Sequence, residues 1–164
     1  MTSIALPADS VVLDHTSVLP AWLDYNGHMN VAWFMQAFEL GIDSYKTVVG
    51  LDAHYIARSR LSTVALESHI TYQREALLGD ALRIETRIID CDGKRVHVYQ
   101  ELCRGVELLA SQETLAISFD IAARRSCPFE PSIAENYRRM VALQAGLARP
   151  LWVGRTIGLG NRRG

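Results

Sequence analysis

Trp22-Leu23-Asp24-Tyr25-Asn26-Gly27-His28-Met29-Asn30, with the apolar run Val31 to Val49 behind it, is the stretch that decides the fold. In the run, Val31, Phe34, Met35, Phe38, Ile42, Tyr45 and Val49 fall on one helical face. Ala32, Trp33, Ala37 and Leu40 widen that face until little is polar, and a helix this apolar is normally wrapped by other elements. Asn30 is a good N-cap and Gly50 a natural stop. The first turn of such a helix offers free N–H groups and a dipole that favour negative charge. An acid and an imidazole at that entrance make a candidate reaction site. The same stretch also has a purely structural reading, because Asn26-Gly27 is a common turn dipeptide and Asp24 can bond its own backbone two residues on.

Working outward, Val11 to Leu19 alternates as a first strand closed by Pro20. Leu51 to Arg60 reads as a connector with a short helical turn. From residue 61 to about 120 the period falls to two. Leu61 to Gln73 is a long strand in which Val64, Leu66, Ile70 and Tyr72 share a parity. Gly79-Asp80 turns the chain into a strand over 82–88. Asp92-Gly93 is a hairpin signal leading to a strand over 96–102. Arg104-Gly105 turns into a fourth strand, Val106 to Phe119. Pro128 and Pro131 end the sheet, and Ser132 to Ala148 has helix spacing with Ser132 as the expected N-cap. The expected class is α+β: a curved antiparallel sheet needs its apolar face covered, and the helix over 31–49 has the surface to cover it. Residues 1–10 are an expected lead-in, 11–148 one domain, and 149–164 a basic Gly/Arg-rich tail holding Arg149, Arg155, Arg162 and Arg163.

The totals narrow the function. A chain of 164 residues with 49% apolar and 21% charged residues fits one globular domain. A formal net charge of −1 gives no general attraction to nucleic acid or anionic membrane. The odd set Cys91, Cys103 and Cys127 matches neither a zinc ribbon nor a disulfide framework, so reduced thiols in a cytoplasmic protein are expected. The start of the chain lacks the pattern of a signal peptide, and no apolar run approaches the ~20 residues of a membrane span. His54, His69 and His97 lack ligand spacing, so no metal is expected. Neither a Gly-x-Ser-x-Gly elbow nor a Gly-rich nucleotide loop is present.

Asp24-Tyr25-Asn26-Gly27-His28-Met29-Asn30 resembles the Asp-x-x-Gly-His-x-Asn signature of hotdog-fold acyl-thioesterases, whose sheet curves around a long central helix. The likeness covers roughly residues 11–122. Asp24, Asn26, His28 and Asn30 also reproduce the Asp-x-Asn-x-His-x-Asn of plant acyl-carrier-protein thioesterases, and Tyr72-Gln73-Arg74-Glu75 is similar to a segment of those enzymes in which a glutamate is implicated. Leu19 to Met29 and the hairpin Asp92 to Tyr99 resemble the thioesterases of bacterial carnitine degradation, which act on betainyl-CoA. The resemblance implies an acyl-CoA substrate, no cofactor, and a homodimer or a dimer of dimers with its site between subunits.

Under that resemblance Asp24 is the carboxylate that activates water or attacks the carbonyl. His28 orients it or protonates the leaving thiolate, and Asn26 polarises the carbonyl or holds water. Gly27 allows close approach, and N–H groups near Asn30 and Val31 take the oxyanion. Glu75 is a lesser candidate, and Glu39, on the helix beside Asp43, is the rival acid. For a quaternary ammonium, Trp22, Tyr25, Trp33 and Phe34 are the candidate cage, each with core packing as its plainer use. Lys94, Arg95 and Arg58 are candidates for the CoA phosphates, each with a plain surface role as the alternative. A hotdog dehydratase or isomerase, and a non-catalytic acyl-thioester binder, are the competing functions.

Overall fold

The change of period near residue 60 separates helix from sheet in the computed structural model, which describes residues 5–158. Strand β1 (Val11–Ser17) leads through a 3-10 turn (Pro20–Trp22) and the Asp24 loop into helix α1 (Val31–Val48). Helix α2 (Ala53–Ser59) precedes β2 (Leu61–Tyr72), β3 (Ala81–Cys91), β4 (Arg95–Arg104), β5 (Glu107–Asp120), a two-residue β6 (Arg125–Ser126) and α3 (Pro131–Gln144). The strands form one antiparallel sheet ordered β1-β3-β4-β5-β2, with β6 on β5. The sheet curls around α1, which packs on β1, β3 and β4, while the edge strand β2 stays largely exposed. This is the hotdog arrangement the sequence pointed to, and no helix among the described residues is long and apolar enough to cross a membrane.

Local chemistry fixes each junction. Asn30 caps α1 by accepting the Ala32 N–H at 2.9 Å. Gly50 follows α1 with φ of 85°, the left-handed stop that glycine supplies without strain. Asp52 caps α2 through the Tyr55 N–H at 2.7 Å. At the β3–β4 hairpin, Asp92 accepts the N–H groups of Lys94 and Arg95 at 2.7 and 2.6 Å.

Two apolar clusters share the length of α1. Phe34, Ala37 and Phe38 pack with Leu82, Ile84, Leu102 and Leu109 at the loop end. Ile42, Tyr45 and Val49 pack with Val96, Val98 and the α3 residues Tyr137 and Met140 at the other. Gly41 lies between them, where a Cβ would fall 2.5 Å from Gln100 Nε2 and 2.6 Å from Ile84 Cγ2. The missing side chain lets α1 approach the sheet closely enough for Gln100 Nε2 to donate to the Phe38 carbonyl at 3.0 Å.

The structure corrects three expectations and adds one short strand. The α1 stripe is narrower than its composition suggests: Val31 and Met35 are exposed together with Glu39 and Asp43, on the side the sheet does not cover. Ser132 is not the N-cap of α3; Pro131 takes the first helical position, Glu130 precedes it, and no side chain caps the end. The common parity along β2 is broken, because an extra residue at Leu66 shifts the pairing from Ala65↔Ala116 to Glu67↔Leu115. Val64 therefore lies on the outer face, while Ile70 and Tyr72 face inward opposite Gln112 and Ala110. Strand β6 carried no sequence signal, having only two residues.

After α3 the chain turns onto the outer face of the sheet. Arg87 Nη1 donates to the Ala148 carbonyl at 2.8 Å, and the Gly154 N–H donates to Glu113 at 2.7 Å. Glu113 also pairs with His97 at 2.7 Å, and Arg155 lies 4.7 Å over the Trp152 ring. Arg162 and Arg163 lie outside the described residues, as does the start of the lead-in.

Candidate active site

The Asp24 loop is a closed hydrogen-bonded turn laid across the entrance of α1. The Asp24 N–H donates to the His28 carbonyl at 2.8 Å, and the Gly27 N–H donates to the Asp24 carbonyl at 3.1 Å. Gly27 has φ of 81° and nothing within 4 Å of where a Cβ would stand, so glycine serves the backbone conformation there. Beyond the turn, the Met29 N–H donates to Ala76 and the Asn30 N–H donates to Trp22. The Trp22 ring stacks on Trp33 at 5.1 Å, which ties the loop to the first turn of α1.

Asp24 does bond its own backbone. Its Oδ1 accepts the N–H of Asn26 at 2.8 Å and that of His28 at 3.3 Å. The other oxygen has a longer contact, 3.5 Å, with the Asn26 amide nitrogen. Burial acts to raise the pKa of this carboxyl, and it is outweighed by the two N–H groups, the Asn26 amide and the His28 imidazole, so the group is held below the usual aspartate range. The structural and reactive readings of Asp24 are thus compatible: one oxygen is fixed by two N–H groups, and the other has only the long contact with Asn26.

His28 turns its Nε2 to Glu75, 3.1 Å from Oε2, and not to Asp24. Loop and β2 exit are further joined by the His28↔Leu77 bridge. At the mouth of α1, Ala32 and Trp33 donate to Asn30, and the Asn30 N–H is itself taken by Trp22. Of the N–H groups around Asn30 and Val31, that of Val31 is left unbonded among the described residues, and the Val31 side chain is 60% exposed.

Other sequence candidates fall elsewhere. Tyr25 is 97% exposed at the tip of the turn. Phe34 is buried, and Trp22 and Trp33 spend a face on each other, so with Tyr25 they do not surround a common space. Glu39 is exposed on α1, about two turns beyond Val31. Lys94 and Arg95 occupy the β3–β4 hairpin, where Arg95 pairs with Asp92 at 2.7 Å, and Arg58 lies 5.8 Å over the Tyr55 ring. All three are at the far end of α1, and the fold of one chain does not bring them to the loop. A cavity of about 580 Å³ lies on the outer face between Glu67, His69, His97, Glu113 and residues 154–157, also away from Asp24.

The basic side chains that do stand near the loop were not singled out by sequence. Arg74 pairs with Glu107 at 2.7 Å, and Arg104 pairs with both Glu107 and Asp80. Arg74 adjoins Glu75, so a closer reading of Tyr72-Gln73-Arg74-Glu75 was the available signal.

Residues 18–137 match the family described as the thioesterase-like superfamily, a span that includes the Asp24 loop, α1 and the whole of β2 to β5. The chain belongs to the thioesterase-like superfamily. Within it, the chain is 34% identical over 136 residues to an L-carnitine dehydrogenase/betainyl-CoA thioesterase of Ruegeria pomeroyi, matching 83% of this chain and 28% of that longer protein. It is 31% identical over 146 residues to a betainyl-CoA thioesterase of Pseudomonas aeruginosa, matching 88% of this chain and 92% of that one. Among solved structures, a candidate thioesterase of Pseudomonas putida KT2440 superposes with a TM-score of 0.78 at 31% identity over 95% of this chain and 99% of the other. A Staphylococcus aureus protein solved with CoA has the same fold, with a TM-score of 0.86 at 24% identity over 96% of this chain and 100% of the other. Membership of this superfamily makes thioester hydrolysis the chemistry against which the loop is to be read.

Proposed function

We propose that this chain hydrolyses an acyl-CoA thioester to the free acid and CoA, with betainyl-CoA as the acyl donor. The observation that carries the proposal is the Asp24 carboxylate, fixed by its own loop at the entrance of α1, together with the Val31 N–H at the positive end of that helix, both inside the span that matches the family. The thioester carbonyl oxygen takes the Val31 N–H, where the helix end favours the charge that develops in the transition state. The more weakly held Asp24 oxygen then works in one of two ways. As a base it takes a proton from water, whose oxygen adds to the carbonyl carbon. As a nucleophile it forms an acyl-aspartyl anhydride, which water cleaves. In both routes the C–S bond breaks with its electron pair on sulfur, and His28, held by Glu75, supplies the proton that turns the thiolate into CoA thiol. Asn26 holds Asp24 and the water, and no cofactor takes part.

The betainyl assignment is supported by two relatives named as betainyl-CoA thioesterases, one of them of nearly equal length. A homodimer or dimer of dimers is supported by the unpaired edge of β2, which ends the sheet and carries the exposed Leu66. Cytoplasmic placement is supported by three free cysteines.

The test is thiol release from a panel of betainyl-, acetyl- and aromatic acyl-CoAs. Betainyl-CoA is expected to give the highest kcat/KM. Asp24→Asn, which keeps an oxygen for the two loop N–H groups, is expected to lose at least about 10²-fold in kcat with the fold intact. His28→Ala loses a similar factor, and Glu75→Gln a smaller one. Incorporation of ¹⁸O into Asp24 during turnover in labelled water identifies the anhydride route. Binding without release marks an acyl-thioester binder, and equal rates across the panel remove the betainyl assignment.

A further inference from the structure

We infer that Tyr72, not the four aromatic residues around the loop, is the side chain that selects a cationic acyl group. The inference rests on the betainyl reading above and deepens it. Betainyl-CoA carries its quaternary nitrogen one methylene from the thioester carbonyl. If the carbonyl oxygen lies on the Val31 N–H, the cation is confined to the first turn of α1. The helix dipole places partial positive charge there, which opposes a cation. Something electron-rich must therefore stand beside that turn.

The carboxylates do not meet this need. Glu75 is engaged with His28, and Asp24 is bonded to its own loop and reserved for the reaction. Glu39 is eight residues beyond Val31, about 12 Å along the helix axis. Among the aromatic rings, Trp22 and Trp33 are stacked on each other, Phe34 is buried, and Tyr25 is 97% exposed at the tip of the turn. Tyr72 is different. It ends β2 on the inner face, opposite the buried Ala110. Its ring meets Phe34, in the first turn of α1, at 5.4 Å and 88°. That contact holds the ring while half of the residue, 50%, stays exposed. Three residues further along, Glu75 reaches His28, so the end of β2 touches both the first turn of α1, through Phe34, and the Asp24 loop. An anchored, half-open aromatic ring is the group that attracts a quaternary ammonium.

The experiment compares betainyl-CoA with its neutral isostere, 3,3-dimethylbutanoyl-CoA, in which carbon replaces the quaternary nitrogen. Shape is kept and charge is removed, so the ratio of the two kcat/KM values reports the cation alone. In the full-length protein this ratio is expected to fall by about 2- to 30-fold in Tyr72→Leu, the range of one cation–π contact. Tyr72→Phe, which keeps the ring, is expected to stay within about twofold of the parent ratio. Tyr72→Thr, a good strand residue, gives the same comparison if the leucine variant does not fold. A ratio unchanged in Tyr72→Leu or Tyr72→Thr, or a parallel loss on both substrates, overturns the inference while leaving the betainyl reading in place. A parent protein that cleaves other acyl-CoAs but not betainyl-CoA overturns that reading, and this inference with it.

Discussion

Gly41→Ala tests the close approach of α1 to the sheet. The added methyl carbon would sit 2.5 Å from Gln100 Nε2, 2.6 Å from Ile84 Cγ2 and 3.3 Å from Thr86 Oγ1. Ordinary contact between such atoms is about 3.5–4.0 Å, so two overlaps of about 1 Å must be relieved. Swinging Gln100 aside breaks its bonds to the Phe38 carbonyl at 3.0 Å and to Thr86 at 3.1 Å, at about 0.5–1.5 kcal/mol each. Lifting the helix instead loosens both apolar clusters, at the ~1–3 kcal/mol typical of an overpacked core. Against this, alanine gains about 0.5–1 kcal/mol over glycine within a helix. The balance is a loss of about 1–2 kcal/mol, read as a fall in Tm of roughly 2–8 °C for a chain of this size. Urea and thermal unfolding measure it. In a double-mutant cycle, Gln100→Ala should reduce the damage done by Gly41→Ala, because one of the two clashing atoms is then absent. A Gly41→Ala protein as stable as the parent, or more so, would refute the claim that the missing Cβ sets the helix–sheet distance.

Two further outcomes follow from the loop and its helix. Asn30→Ala removes the α1 cap and is expected to cost about 1 kcal/mol, visible in the urea midpoint, while Asn30→Asp retains the acceptor and most of the stability. The depressed pKa of Asp24 fixes the sign of a pH effect. A carboxyl whose folded pKa lies below its unfolded value stabilises the protein above the ordinary 3.8 and loses that contribution as pH falls through the folded value. The Tm difference between the parent and Asp24→Asn should therefore be steady near neutrality and shrink below about pH 4. A difference that grows on acidification contradicts the hydrogen bonds assigned to Asp24.

The fold was legible because its signals are local and repeated. The α1 boundaries could be read from Asn30 and Gly50, and the hairpin from Asp92-Gly93, since each owes its geometry to side chains within a few residues. The side of α1 that stays open was not legible, because composition cannot say which part of an all-apolar helix the sheet reaches, and Val31 and Met35 were assigned to the wrong face. Asp24, His28 and Glu75 could be picked out as residue types at a given spacing, but their pairing could not. That His28 turns to Glu75, 47 positions later, depends on β2 returning to the loop. The pairing of Tyr72 with Phe34 is hidden from the sequence for the same reason, because the two rings lie in different elements.

The extra residue at Leu66 sets the phase of everything downstream of it on β2. A plain two-residue rhythm counted from Val64 would send Ile70 and Tyr72 to the outer surface, and the single added step returns them to the helix side. The edge strand is in effect two short strands of opposite handing joined end to end. Removing one residue before Glu67 would thus change the chemistry at the far tip of the strand without altering any side chain there.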